Sequence, residues 1–258
     1  MRYGGNTSCV SIETADDSLI VLDCGTGFRL LGESLGAAAV DAHVFVTHLH
    51  WDHVQGLPFF APLQNGGSQI TLYGPGDAGC GIGESFNRFM TPPFFPVETG
   101  QLPASFAFED FVDGSTTVGS STVTARPVPH TGLTAGFRIE RDGASVAYVP
   151  DHQQPGPEST FVDPAVLKLA RGVDMLIHDA QYGPDEFPAK ATWGHSTPWY
   201  ALEVARQAEA KTLILFHHDP SHDDAWIDEM TQAVASEAAQ DGIEVVAAAE
   251  GLKLSIDA

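Results

Sequence analysis

Short apolar runs, each closed by Gly, Pro, Asp or His, dominate the first 150 or so residues. SLIVLDCG (18–25), HVFVTH (43–48), QITLYGPG (69–76), FAFEDFV (106–112), STVTARPVP (121–129), AGFRIER (135–141) and ASVAYVPD (144–151) have the length, β-branched content and turn punctuation of strands. Helical segments are fewer and fall near 52–63, 78–90, 163–171, 197–209 and 222–239. In the segment at 197–209, Ser196 or Thr197 is a candidate N-cap and Pro198 suits the first turn. From residue 173 the order alternates: strand 173–178, helix 197–209, strand 211–216, helix 222–239, strand 243–248. A run of strands followed by interleaved helices predicts an α/β sandwich, with helices outside the sheets. No repeat, low-complexity tract or linker divides the chain, so its 258 residues are expected to form a single domain, 1–258. The Pro-rich and aromatic TPPFFPVETGQLP (91–103) reads as an ordered loop that packs Phe94 and Phe95 on the body, with an active-site wall or a dimer contact as the alternative.

Charge narrows the partners. There are 34 acidic against 12 basic residues, a formal net charge of −22, and no Lys/Arg cluster breaks that field. Extended nucleic acid is therefore disfavoured, whereas a small anionic substrate remains open because bound metal ions invert the local sign. The acidic excess also suits a salt-rich habitat. Cys9, Cys24 and Cys80 show no paired spacing, which fits reduced thiols inside a cell. MRYGGNTSCV lacks the basic and apolar regions of a secretory signal, and no apolar stretch approaches a membrane span. A cytoplasmic protein without a membrane partner is expected.

Chemistry concentrates in THLHWDH, residues 47–53. The pattern H-x-H-x-D-H follows a strand, so side chains at i and i+2 can converge on one ion as the strand ends. Asp52 and His53 then begin the next helix and can reach a second ion. Imidazole nitrogen and carboxylate oxygen suit zinc, manganese or iron, with zinc the default. His130 ends ARPVPH, Asp151 ends SVAYVPD and His217 follows TLILF, so each lies where a strand stops. That is where sheet-borne ligands gather.

Taken in order, these groups resemble the ligand set of the metallo-β-lactamase superfamily, and the resemblance covers essentially the whole chain. It implies an αββα four-layer sandwich with two ions at the sheet edges. His48, His50 and His130 would hold the first ion, Asp52, His53 and His217 the second, and Asp151 would bridge them. Asp23 in LDCGTG matches the family's first-motif aspartate, a support for ligands. RYGGNTSCV (2–10), LDCGTGFRLLG (22–32), LPFFAPL (57–63), LIHDAQY (176–182), WGHST (193–197) and LFHHDP (215–220) are similar to the phosphodiesterase branch that includes tRNase Z and phosphoribosyl cyclic phosphodiesterase. That likeness implies that His195 stands over the site and that Asp179 orients it. Asp52, His195 and Asp179 are thus the candidate catalytic residues. His50, where the flavodiiron branch has Glu, argues against that branch. The absence of Cys beside His217 or Asp151 argues against the Cys-ligated β-lactamases.

The function expected is hydrolysis of a small cyclic or nucleotide-type phosphodiester by a hydroxide shared between two divalent ions. Zinc is the first choice, with manganese or iron as alternatives. Opening of a β-lactam or lactone ring by the same site is the competing reading. The long arm by which tRNase Z grips tRNA is not evident. A homodimer through 91–97 is compatible with the sequence. Departures from the family are few. Relatives usually carry a strand before the segment matching RYGGNTS, so either the chain starts late or an edge strand is missing. Thr-Gly follows His130, and His152 follows Asp151 where Thr is common; His152 is expected to face solvent, with a contact behind the ligands as the alternative. Within LFHHDPSH, His217 is the expected ligand. His218 should point to the other side of an extended chain and support the loop or touch substrate, and His222 should begin the last helix at the surface.

Overall fold

The computed structural model describes residues 2–14, 19–77 and 79–256. Ser18 and Ala78, at the starts of an expected strand and an expected helix, lie outside them. The chain forms two compact units, residues 6–120 and residues 2–5 with 121–256.

In the first unit the order is β1 (Val10–Glu13), β2 (Leu19–Leu22), α1 (Gly27–Leu35), β3 (Asp41–Phe45), α2 (Trp51–Val54), β4 (Gln69–Gly74), α3 (Ile82–Phe89), β5 (Ser105–Asp110) and β6 (Gly114–Val118). A sheet runs β1-β2-β3-β4-β5, antiparallel at β1/β2 and parallel beyond. Its core gathers Val21, Phe28, Val44, Leu57, Phe60, Leu72 and Phe86. The ring of Phe28 on α1 stacks on Phe60 at 4.0 Å. Gly32 lets α1 come this close, because a Cβ there would lie 2.7 Å from the Ala61 nitrogen.

The expected helix 52–63 is not continuous. One turn of α2 is followed by two 3-10 turns, Leu57–Phe59 and Ala61–Gln64. Pro58 and Pro62 lack the N–H a continuing helix would use, and their rings crowd the preceding turn. Gly56 sits at the break: its N–H donates to the Cys24 carbonyl at 2.9 Å, and a Cβ on it would fall 1.8 Å from the Gly25 oxygen. Gly56→Ala is therefore expected to lower stability by about 1–3 kcal/mol, the usual cost of overpacking. A urea titration checks this; an unchanged midpoint would show that the turn yields freely. In the loop after α3 the expectation for the two phenylalanines divides. Phe95 packs on the core and meets Phe59 edge-on, whereas Phe94 is 73% exposed.

In the second unit come β7 (Ser121–Pro127), β8 (Ala135–Arg141), β9 (Ala144–Val149), α4 (Pro164–Ala170), β10 (Met175–Asp179), α5 (Phe187–Lys190), α6 (Pro198–Ala208), β11 (Thr212–Phe216), α7 (Asp224–Ala238) and β12 (Glu244–Ala247). The strands lie in the order β12-β11-β10-β9-β8-β7. β9 to β12 are parallel, while β8 is antiparallel to both neighbours. Val149, Val166, Leu169, Leu176, Tyr200, Val204, Leu213 and Val234 share its core. The helices start on capped ends: Asp163, Thr197 and Asp223 each accept an N–H of the first turn. Thr197, rather than Ser196, is thus the cap of α6. No described helix is long and apolar enough to cross a membrane. The parallel pairing has a functional consequence: β9, β10 and β11 end on the same edge, and the residues just there are Asp151, Asp179 and His217.

Candidate metal centre and its histidine–aspartate dyad

In the first unit the site is built around Asp23, fully buried and in the left-handed region (φ 59°) just after β2. Its carboxylate accepts from the Thr47 N–H (2.7 Å), the Thr47 hydroxyl (3.0 Å) and His53 Nδ1 (2.7 Å). A carboxylate can only accept, so His53 carries its proton on Nδ1 and turns Nε2 away, to 3.4 Å from Asp52 Oδ2. The Thr47 hydroxyl spends its proton on Asp23 and sits 3.0 Å from His48 Nδ1, which therefore donates to it. His48 Nε2 is left facing His50 Nδ1 at 2.8 Å, with the two rings 4.3 Å apart. One buried carboxylate thus sets the tautomers of two imidazoles and aims their other nitrogens outward. This is the support expected of ligating histidines.

The second unit repeats that logic. His130 Nδ1 donates to the Gly194 carbonyl at 2.7 Å, which leaves Nε2 3.5 Å from Asp151 Oδ2. His217 Nε2 lies 3.6 Å from Asp151 Oδ1, and its Nδ1 is 3.0 Å from the Gln181 side-chain nitrogen. Asp151, 1% exposed, therefore offers one oxygen toward each imidazole. His195 Nδ1 donates to Asp179 Oδ2 at 2.8 Å. Asp179 is fully buried and accepts two further bonds, from the N–H groups of His152 and Gln181, both at 3.0 Å. Three donors leave that carboxylate no freedom to turn, so the His195 ring is fixed through Nδ1. The His195 ring stacks on His217 at 5.0 Å and meets Tyr182 edge-on at 5.6 Å. Ligand atoms of Asp151, His195 and His217 lie within 4.8 Å of one another. Imidazole nitrogens gathered around a buried carboxylate suit a zinc-type ion.

His152 and His222 are more buried than expected, and the chain turns at His217. His152 does not face solvent: it is 1% exposed, with Nδ1 2.9 Å from His178 Nε2 and its ring against Tyr200. Its backbone is held by Asp179 and by the Ser196 hydroxyl, which turns the ring inward. Burial pushes its pKa well below the ordinary histidine value, helped by His178 and His130. His217 adopts φ 60°, so the extended geometry expected to carry on to His218 stops one residue early. His218 lies with Nε2 3.2 Å from the Ala248 carbonyl and its ring edge-on to Tyr3; burial lowers its pKa to about 4. It supports the loop, one of the two roles expected of it. His222 precedes α7, with a side chain only 5% exposed, stacked on Trp226 at 3.4 Å and paired with Glu186 at 2.9 Å. Thr47, Gln181 and Gly194 hold the candidate ligands His48, His217 and His130, and each lies inside a motif quoted above.

Imidazoles and carboxylates able to hold a metal ion, gathered at strand ends with a histidine–aspartate dyad beside them, are the groups a metal-dependent hydrolase needs. Residues 19–218 match the family described as "Beta-lactamase superfamily domain", and the chain belongs to that family. Among curated relatives, the Ribonuclease Z of Anoxybacillus flavithermus is 26% identical, over 89% of this chain and 86% of its own length. Among solved structures, the metallo-β-lactamase fold protein YhfI from Bacillus subtilis superposes with a TM-score of 0.72 at 22% identity, covering 97% of this chain and 95% of that one. The short form of human tRNase Z gives 0.70 at 20% identity, covering 100% and 96%. A diphosphatase from the PhnP family gives 0.68 at 22%, covering 97% and 85%. The α/β metallo-β-lactamase fold and the resemblance to the tRNase Z branch are borne out.

Proposed function

We propose that this chain, acting as one hydrolase domain, cleaves small cyclic or nucleotide-type phosphodiesters at a pair of divalent ions. His48, His50 and His130 would hold one ion, Asp52, His53 and His217 the other, with Asp151 between them. When bound, the ions supply Lewis acidity and an activated water; zinc suits the donors, and manganese or iron are the alternatives.

The observation that carries the reading is His195 locked by the buried Asp179. A histidine whose Nδ1–H is tied to a carboxylate is stabilised when Nε2 also carries a proton, and that proton can pass to a departing alkoxide. Asp52, with a 36% exposed side chain, is placed to take up a proton while its other contact stays on His53. The net charge of −22 favours a small substrate over a long polyanion. The Ribonuclease Z relatives favour a second reading, cleavage of RNA by the same residues.

The test is a screen of metal-defined protein against bis-p-nitrophenyl phosphate, a cyclic nucleotide, a precursor tRNA, nitrocefin and a homoserine lactone. Phosphodiester turnover is expected, lost with a chelator and restored by zinc or manganese. Cleavage of the RNA alone removes the small-substrate part of the proposal. Turnover of only nitrocefin or lactone removes the phosphodiesterase reading altogether.

A further inference from the structure

We propose that His152 and His178 form a positioning strut, an imidazole-to-imidazole N–H···N bond that holds the turn bearing Asp151 against the strand end bearing Asp179. The inference rests on the functional reading above, in which Asp151 and the Asp179–His195 dyad serve the reaction.

The tautomers follow from the contacts. His178 Nδ1 is 2.8 Å from the backbone carbonyl of Asp179, and a carbonyl only accepts. His178 therefore keeps its proton on Nδ1, and its Nε2 is an acceptor. His152 Nδ1, 2.9 Å away, must be the donor. Both rings are buried, at 1% and 0% exposure, where water cannot replace a lost partner.

The backbone around His152 extends the same connection. Its N–H donates to Asp179 Oδ2, and its carbonyl accepts the Ser196 hydroxyl. The next two residues continue it. Gln153 donates its N–H to the Pro129 carbonyl at 2.8 Å and accepts the Gly194 N–H at 2.9 Å. Gln154 donates its N–H to the His195 carbonyl at 3.1 Å, and its side-chain oxygen accepts both the N–H and the hydroxyl of Thr197 at 3.0 Å. Residues 152–154 thus tie together the segments that carry His130, Asp179 and His195. The ring-to-ring bond is the one link in this set made between two side chains on different strands' ends, so it fixes the spacing of β9 and β10 where the chemistry lies.

Two measurements test the strut. In metal-free protein labelled with 15N-histidine, a through-hydrogen-bond coupling between His152 Nδ1 and His178 Nε2 is expected; its absence from a folded sample overturns the assignment. In loaded protein, His152→Leu and His178→Leu should each cut kcat by about 10- to 100-fold, the usual effect of removing a residue behind the ligands, with KM within about twofold. His152→Asn, whose amide N–H can stand where Nδ1–H stood, should recover most of the loss. The double Leu variant should be no worse than the worse single one. Circular dichroism and zinc retention against a chelator are followed in parallel. Folded Leu variants with unchanged kcat and zinc retention, or losses that multiply in the double variant, overturn the strut. If the wild type hydrolyses no phosphodiester, the functional reading fails while the coupling and chelator measurements still judge the strut.

Discussion

His195→Ala is expected to leave metal content unchanged while cutting turnover of an alkoxide-leaving phosphodiester by about 10²–10⁴-fold, the range for loss of a general acid. The expectation comes from what each nitrogen of this ring touches. Nδ1 is engaged by Asp179, so the ring cannot rotate to bring a different nitrogen to the substrate, and only Nε2 is available for proton transfer. The demand for that proton depends on the leaving group. An alkoxide, a poor leaving group, departs with it, whereas p-nitrophenolate is stable as an anion. The variant should therefore lose far less on bis-p-nitrophenyl phosphate than on a cyclic nucleotide. Asp179→Asn should shift activity in the same pattern, because the amide can no longer hold the ring as a carboxylate does. Equal losses on both substrates would remove the proton-donor role. Loss of zinc from His195→Ala would instead make His195 a ligand, since its ring lies beside Asp151 and His217.

The ends of the strands carried the legible part of the site. Asp151, Asp179 and His217 were visible because a polar residue able to ligate or to hold a ring closes an apolar run, and parallel pairing of β9, β10 and β11 puts such residues on one edge. The strands and helices from 121 onward, apart from the four-residue α5, were legible for the same reason, since long apolar runs with clear caps leave little ambiguity. In the first unit β1, α1 and β6 escaped detection. GFRLLGESL holds two glycines and only one fully apolar turn, and it becomes a helix because Phe28 finds Phe60 and Gly32 admits Ala61. Those partners lie some thirty residues away, where local periodicity has no reach. His152 failed for a similar reason. A histidine after a strand-end acid looks solvated, and its burial depends on His178 and Ser196. The left-handed turns at Asp23 and His217 were likewise invisible, because a non-glycine residue takes that conformation only when surrounding contacts hold it there.

Removal of Asp151 should do more damage than removal of any other single residue. Its two oxygens face His130 Nε2 at 3.5 Å and His217 Nε2 at 3.6 Å, and it is buried, so water cannot supply a substitute charge. Asp151→Ala leaves imidazoles and cations facing one another without the anion between them. Both metal content and turnover should then fall, turnover by about 10³-fold or more, since the water pKa is lowered only while the ions stay bound. Asp151→Asn keeps the volume and removes the charge, so a similar loss in the two variants assigns the effect to charge rather than to a cavity. His217→Ala should lose one ion and His222→Ala none, because His222 is engaged by Trp226 and Glu186. Elemental analysis after dialysis decides among these. An Asp151→Asn protein that binds zinc as the wild type does would show that the carboxylate is not a ligand. Zinc loss in His218→Ala with retention in His217→Ala would place the ligand one residue further along the chain.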